Sequence, residues 1–480
     1  MIYYIMNKLN IIFFIFFWTS WWLTAGEMRG AWIHSPSGIE DKRGWDATVK
    51  ALAENGYNAL FANFAWAGCA DYPSSVVEPH PSLYDSDGNC HDRLQECLDA
   101  CRKYGIQLHV WIVVCNLGHR TQERVKLQLG EEGRLQLDSA GEESTYLAPH
   151  LPANQILLKD LATEVVSRYP VDGLHLDYIR YPGSKYDFSP SAREAFEQSL
   201  GRSVVHWPED CQAGGKDFAA FRQWRRDTIT ALVRMIHDAV KPLRPELQLT
   251  AAVYGYWPGA REGIAQDAEA WVTEGIVDAL CPMNYSKDVW EAGAWLRQQL
   301  RVVDGRVPIY TGLANYMTPT PEDLMAQIAD ARKCGADGFI TFQLRQEFAD
   351  NWLPVLHEKV ISEPAVPPAG GEPRLQAAWA KPPRKFPWRL LRFWLRGDRI
   401  RCVVRWPDGA GSVANNSLQV SILHNGNRMP EWSGKARRLP NGALRLEFVP
   451  EQRGYYRWEV RWRDEAGRSH EWRSSSRYVR

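Results

Sequence analysis

Between residues 28 and 360, short apolar strands alternate with longer amphipathic helical stretches, and few folds accept that rhythm. Strands are predicted over 28–34, 58–64, 105–114, 171–177, 247–254, 277–284, 307–313 and 338–344. Helices are predicted over 45–55, 91–104, 151–168, 218–240, 267–274, 288–303 and 324–334. Gly56 stops the first helix, and Thr320-Pro321-Glu322-Asp323 is a capped helix start. About eight strand–helix units in roughly 330 residues fit a single (β/α)8 TIM barrel of the α/β class. An open doubly wound sheet would announce a glycine-rich phosphate loop after its first strand, and none is present. The rhythm is interrupted by a long loop over 66–90 and a polar insert over 116–149.

In such barrels the active site lies at the C-terminal ends of the strands. The stretch from Val171 to Pro182 is the most informative of these ends. With period two, His175 and Asp177 share one face while Leu174 and Leu176 share the other. A carboxylate and an imidazole on a strand are costly to bury without a purpose; the bland reading is an Asp177 that caps the next loop or pairs with Arg180. The other strand ends offer His34, Asn63, His109, Trp111, Tyr254, Asn284, Tyr285, Asn315, Tyr316, Gln343 and Arg345, and the loops add Trp66, Tyr72, Tyr181 and Trp257. Aromatic faces cover the apolar faces of sugars while amides and carboxylates bond hydroxyls, so this mixture suits a carbohydrate cleft. The candidate substrate-binding residues are His34, Asn63, Tyr72, His109, Trp111, His175, Arg180, Tyr181, Tyr254, Asn284, Tyr285 and Gln343.

Four segments in order, Met28 to Trp32 (MRGAW), Gly105 to Trp111 (GIQLHVW), Val171 to Pro182 and Asp278 to Tyr285 (DALCPMNY), resemble the bacterial glycosyl-hydrolase-like family 10. The resemblance spans about 27–360. It implies a barrel fold, a place in the cell envelope, and glycoside hydrolysis of an envelope glycan, including peptidoglycan strands stripped of stem peptides. The strand-four pattern Asp-Gly-x-His-x-Asp also looks like the nucleophile segment of α-amylase-type barrels. That places Asp177 at the nucleophile and His175 where those enzymes carry arginine. Many members of the resembled family have a second acid directly after this aspartate; here it is Tyr178.

Glycoside hydrolysis generally needs two carboxyl groups. Asp177 is the first. Asp267, four residues before Trp271, matches a motif of the resembled family and is the candidate for the second; the alternative is a helix-capping role, and Glu347, Glu262, Asp71 and Glu78 compete. A runner-up reading has His34, His109, His175 and Asp177 holding a divalent metal for amide or ester hydrolysis, deacetylation included. No His-x-His or His-Glu-x-x-His occurs, so the leading expectation is an enzyme without metal or cofactor. A non-catalytic glycan-binding barrel is the third reading.

The segment 1–26 reads as an export signal, with one lysine before an apolar run and Thr24-Ala25-Gly26 offering a cleavage site; an uncleaved anchor is the alternative. Periplasm, envelope or extracellular space is therefore expected. Nine cysteines in odd number form no framework, although Cys69 and Cys90 could bridge a loop. The catalytic unit is expected over 27–361, a Pro/Gly linker over 362–375, and a β-sandwich of immunoglobulin or fibronectin type over 376–480. Charge separates the halves: net +13 from Gly371 onward and −13 before it. The expected partners are a polysaccharide or peptidoglycan glycan at the barrel and an anionic envelope polymer at the basic tail, with no nucleic acid.

Overall fold

The computed structural model describes residues 26–39, 44–365 and 367, and beyond them a set of strands between 376 and 479. The segment read as an export signal lies outside the described residues. Among the described residues no helix is long and apolar enough to cross a membrane.

Eight parallel strands form the centre: β1 (Met28–Ile33), β2 (Ala59–Trp66), β3 (Gln107–Val113), β4 (Gly173–Asp177), β5 (Gln248–Tyr254), β6 (Ala279–Met283), β7 (Tyr310–Ala314) and β8 (Gly338–Phe342). Each pairs with the next, and β1 pairs with both β2 and β8, so the sheet closes. Around it run α1 (Gly44–Glu54), α2 (Arg93–Tyr104), α3 (Pro152–Arg168), α4 (Phe218–Val240), α5 (Ala268–Glu274), α6 (Val289–Val303), α7 (Pro321–Cys334) and α8 (Leu353–Lys359). The sequence expectation of a closed (β/α)8 barrel is met, with ends shifted by at most three residues. Helix starts follow their chemistry: Thr320 Oγ1 accepts from the Asp323 N–H at 3.2 Å, and Asp92 accepts from Gln95 N–H at 3.0 Å.

Alternation along the strands builds two apolar layers. Outward-facing Leu174, Leu176, Leu249, Ala251 and Val253 join the helices in the larger core. Inward-facing Trp32, Phe61, Trp111, Cys281, Tyr310 and Ile340 fill the barrel. So many rings inside one small barrel require small residues opposite them. A Cβ added to Gly173 would lie 2.0 Å from His109 Nδ1, and one on Gly312 would lie 2.9 Å from the Trp32 ring.

The insertions are more ordered than the sequence reading implied. The 66–90 loop opens with Cys69–Ala70, antiparallel to the end of β2. The polar insert contains a helix, Glu123–Glu131, and the hairpin Leu135–Leu137 with Glu143–Leu147. Between β4 and α4 the helix Pro190–Leu200 covers a small separate core of Phe188, Phe196, Val204, Cys211 and Phe221. These helices escaped the sequence reading because each buries so little: Leu129 alone in the first, Ala192 and Phe196 in the second. The eight cysteines from Cys69 to Cys334 are all free thiols, Cys69 buried and Cys90 exposed, which corrects the expectation of a bridge between those two.

Under the barrel, Arg29 donates to the carbonyls of Ile361 at 3.1 Å and Glu363 at 2.7 Å, and Asn58 donates to Ala365 at 3.1 Å. The chain leaving the barrel is thus tied to its N-terminal face. Further on, antiparallel strands pair in two groups, one led by Ile400–Arg405 and Leu444–Phe448 and the other by Gln419–His424 and Gly454–Arg463. Residues 388–395, strand-like in sequence, lie outside the described residues. Arg457 donates to the Gly335 carbonyl at 2.8 Å, on the barrel face opposite the strand C-termini.

Candidate active site

Strand β4 carries its polar groups at two depths. Its inward-facing residues are Gly173, His175 and Asp177, in ascending order toward the barrel mouth. His175 is wholly buried: Trp32 Nε1 donates to its Nε2 at 3.0 Å and its Nδ1 meets Thr250 Oγ1 at 2.8 Å. An indole N–H can only donate, so Nε2 accepts, and Nδ1 carries the proton toward the threonine. Burial holds this imidazole well below its ordinary pKa. His109, also wholly buried, stacks on Phe61 at 4.3 Å, and burial pushes it down to about 3. The expectation that His109 and His175 contact substrate is therefore corrected: both belong to the ring layer that fills the barrel below the mouth.

Asp177 ends the strand at 5% exposure. Its Oδ1 accepts from the Tyr178 N–H at 2.6 Å and from Arg180 Nη1 at 3.2 Å. Tyr178 adopts φ 51°, a left-handed conformation uncommon for an aromatic residue, which turns its own N–H back onto the carboxylate. The Arg180 guanidinium lies 4.1 Å from the Tyr178 ring centre and 4.8 Å from that of Tyr254. Burial opposes the arginine's charge, but Asp177 and the phenols of Tyr254, Tyr146 and Tyr178 more than offset it, so its pKa is raised. Arg180 thus serves the carboxylate, where the sequence reading assigned it to substrate.

Above the carboxylate the mouth is aromatic. His34 packs on Trp111 at 4.4 Å, Phe342 touches His34 at 5.7 Å and stacks on Tyr285 at 5.6 Å, and Tyr316 extends the series at 6.2 Å from Tyr285. Tyr316 is 61% exposed and Tyr254 42%. Burial lowers the His34 pKa against the upward pull of Asp177; burial and then Asp177 raise that of Tyr285. Both rings thus lie within electrostatic reach of the carboxylate. Gln343 is half-buried at the end of β8. Phe342 was missed, although it continues the inward alternation of Gly338 and Ile340, a signal the sequence did carry.

Four other candidates are fully buried in the structure. Tyr72 is fully buried and donates to Glu164 at 3.0 Å. Tyr181 is fully buried with the Arg225 guanidinium 4.2 Å from its ring. Asn63 donates to the Trp111 carbonyl at 3.0 Å, and Asn284 to Gln299 and Thr311 at 3.0 Å each; both amides are at 0% exposure. The expectation that these four contact substrate is corrected: all are at 0% exposure, with Tyr72, Asn63 and Asn284 bonded within the fold and Tyr181 covered by Arg225.

Asp267 is 7% exposed and caps α5, accepting from Ala270 N–H at 3.2 Å, while Arg261 Nε donates to its other oxygen at 2.8 Å. Of its competitors, Asp71 is paired with Arg93 and Arg120, Glu262 with Arg222 and Arg226, and Glu78 with Arg124; Glu347 is exposed. Among the described residues no group of three or more His, Cys, Asp or Glu side chains is arranged to hold a metal ion. The runner-up ligand set fails on its own chemistry: both nitrogens of His175 are engaged by Trp32 and Thr250, and His109 lies beneath the mouth.

The model of the family described as glycosyl hydrolase-like 10 matches residues 27–330. The protein named glycosyl hydrolase DigH of Escherichia coli K12 is 24% identical over 307 residues, 57% of this chain and 65% of that protein. Glycosyl hydrolase YngK of Bacillus subtilis 168 is 23% identical over 328 residues, 60% of this chain and 61% of that one. The chain therefore spans just under two thirds of the length of these relatives. Among solved structures, the PgaB (BpsB) glycoside hydrolase domain of Bordetella bronchiseptica is similar in fold, with a TM-score of 0.54 at 13% identity, over 69% of this chain and 98% of that one.

Proposed function

The chain belongs to the glycosyl hydrolase-like 10 family, and from that premise we propose that it is a glycoside hydrolase that cleaves O-glycosidic bonds in a bacterial cell-wall glycan, denuded peptidoglycan being the leading substrate. The observation that carries the reading is Asp177: a carboxylate at the C-terminal end of β4, charge-paired with Arg180, beneath a rim of Trp111, Tyr285, Phe342 and Tyr316. Asp177 is proposed as the nucleophile or base. Asp267 is the proposed second carboxyl group. The rim offers apolar faces for sugar rings, with the Gln343 amide and the Tyr254 and Tyr285 hydroxyls at its edge.

Export to the envelope and an immunoglobulin- or fibronectin-like tail belong to the same proposal. The tail's net positive charge supports docking on an anionic wall polymer, which moderate salt would release.

The test is product analysis on defined wall glycans, comparing the natural chain with Asp177→Asn. Cleaved products from the natural chain and a collapse in the variant are expected; full activity in Asp177→Asn would sink the assignment. Glycan binding with no turnover in the natural chain would identify a binding protein instead.

A further inference from the structure

The connections that follow β3 and β4 bring a hydroxyl, an imidazole and a carboxylate together. His150 Nε2 lies 3.1 Å from Ser191 Oγ, and His150 Nδ1 lies 3.8 Å from Asp187 Oδ2. Neither Nδ1 nor Oδ2 has another hydrogen-bond partner, and both are buried. Asp187 is fixed in place: its Oδ1 accepts from the backbone N–H groups of Leu137 at 3.0 Å and Ser189 at 2.9 Å, which leaves Oδ2 aimed at the imidazole. The His150 side chain is 5% exposed and packs against Trp224 at 5.7 Å between ring centres.

Ser191 is half-buried in the first turn of the helix Pro190–Leu200. There the helix dipole favours negative charge on a nearby oxygen, which suits a serine that attacks a carbonyl. Ser189 caps the same helix, accepting from the Ala192 N–H at 3.2 Å, and its hydroxyl lies 3.1 Å from Ser191 Oγ. The serine is thus positioned by two neighbours. His150 Nδ1 and Asp187 Oδ2, of complementary character, face each other across a gap that a shift of about 1 Å would close into a hydrogen bond.

We propose that Ser191, His150 and Asp187 form an acyl-transfer site, sharing no residue with the Asp177 site, that hydrolyses small carboxylic esters. Ser191 Oγ attacks the ester carbonyl carbon while His150 Nε2 takes the hydroxyl proton, and Asp187 holds the imidazole by Nδ1–H. The bond from the carbonyl carbon to the alkoxy oxygen breaks, and the departing alcohol takes the proton from His150. Water, deprotonated by the same imidazole, then cleaves the acyl–serine ester and releases the acid with Ser191 restored. Trp224, beside the imidazole, supplies the apolar wall for the acyl group.

The experiment treats the full chain with diisopropyl fluorophosphate and maps the adduct by peptide mass spectrometry, alongside release of p-nitrophenolate from p-nitrophenyl acetate. One adduct per chain on Ser191 is expected. Release should fall at least about 10²-fold in Ser191→Ala and in His150→Gln, while glycan cleavage by Ser191→Ala stays unchanged. No adduct on Ser191 of the natural chain, or ester release unaltered in Ser191→Ala, overturns the proposal. The adduct map needs no variant, so a misfolded variant does not blunt the test, and the glycan assay is independent of it.

Discussion

Arg180 reaches back three residues to place its Nη1 3.2 Å from Asp177 Oδ1, with both side chains under 10% exposed. Breaking such a pair strands a buried charge, a change worth about 3 kcal/mol or more. Arg180→Gln should therefore lower the urea midpoint and reduce kcat on glycan by about 10²-fold through loss of positioning. An unchanged kcat would show that the carboxylate is placed without the arginine.

Asp267→Asn separates chemistry from capping. Asparagine caps a helix about as well as aspartate, and the Arg261 partner is half exposed, so stability should change by under about 1 kcal/mol. If Asp267 is the second carboxyl group, kcat should still fall at least about 10²-fold. A variant with natural kcat would leave Asp267 as a helix cap alone.

Gly173→Ala would press a methyl group against His109 in the filled barrel. A destabilisation of about 1–3 kcal/mol is expected, seen as a drop in Tm of several degrees. Adding His109→Ala should restore part of the loss, because the two changes share one space.

Trp32→Phe keeps a ring in place but removes the donor that faces His175 Nε2. Leaving that nitrogen unsatisfied should cost about 1–3 kcal/mol in urea denaturation. KM for glycan should stay near the natural value, since the pair lies beneath the mouth; a large rise in KM would argue that this layer touches sugar.

Stability should fall in mild acid. His34, His109, His150 and His175 all have depressed pKa values through burial, His109 to about 3 and His150 to about 4. Each contribution is fully present above the ordinary imidazole value of 6.5 and is lost as pH falls toward the folded value, by up to about 2 kcal/mol per histidine at pH 5. Asp187 acts oppositely: burial raises it to about 6 against the N–H groups of Leu137 and Ser189 and the charge of Arg225, so its contribution is present below about 4 and lost as pH rises through about 6. Urea midpoints between pH 7.5 and 5 should decline, and the decline should be shallower in His109→Gln. A flat profile would contradict the burial of these rings.

The barrel could be read in the residues because strand and helix leave different local periods, and each unit repeats the contrast. Leu174 and Leu176 against His175 and Asp177 already assigned the two faces of β4. Helices 123–131 and 190–200 were not legible, since one or two buried residues make no period. The sequence by itself determined the fold class, the strand order and the mouth to which Asp177 belongs, all consequences of local chain geometry. Only the tertiary structure decided how deep each polar group sits and what it bonds. His175 and Asp177 are two residues apart on one face, yet that spacing is one layer of the barrel, enough to bury the imidazole against Trp32 and leave the carboxylate at the mouth. The partners of Asn63, Asn284 and Tyr72 likewise come from remote elements, and hydrogen bonding across the fold, which no local pattern records, is what removed them from the cleft.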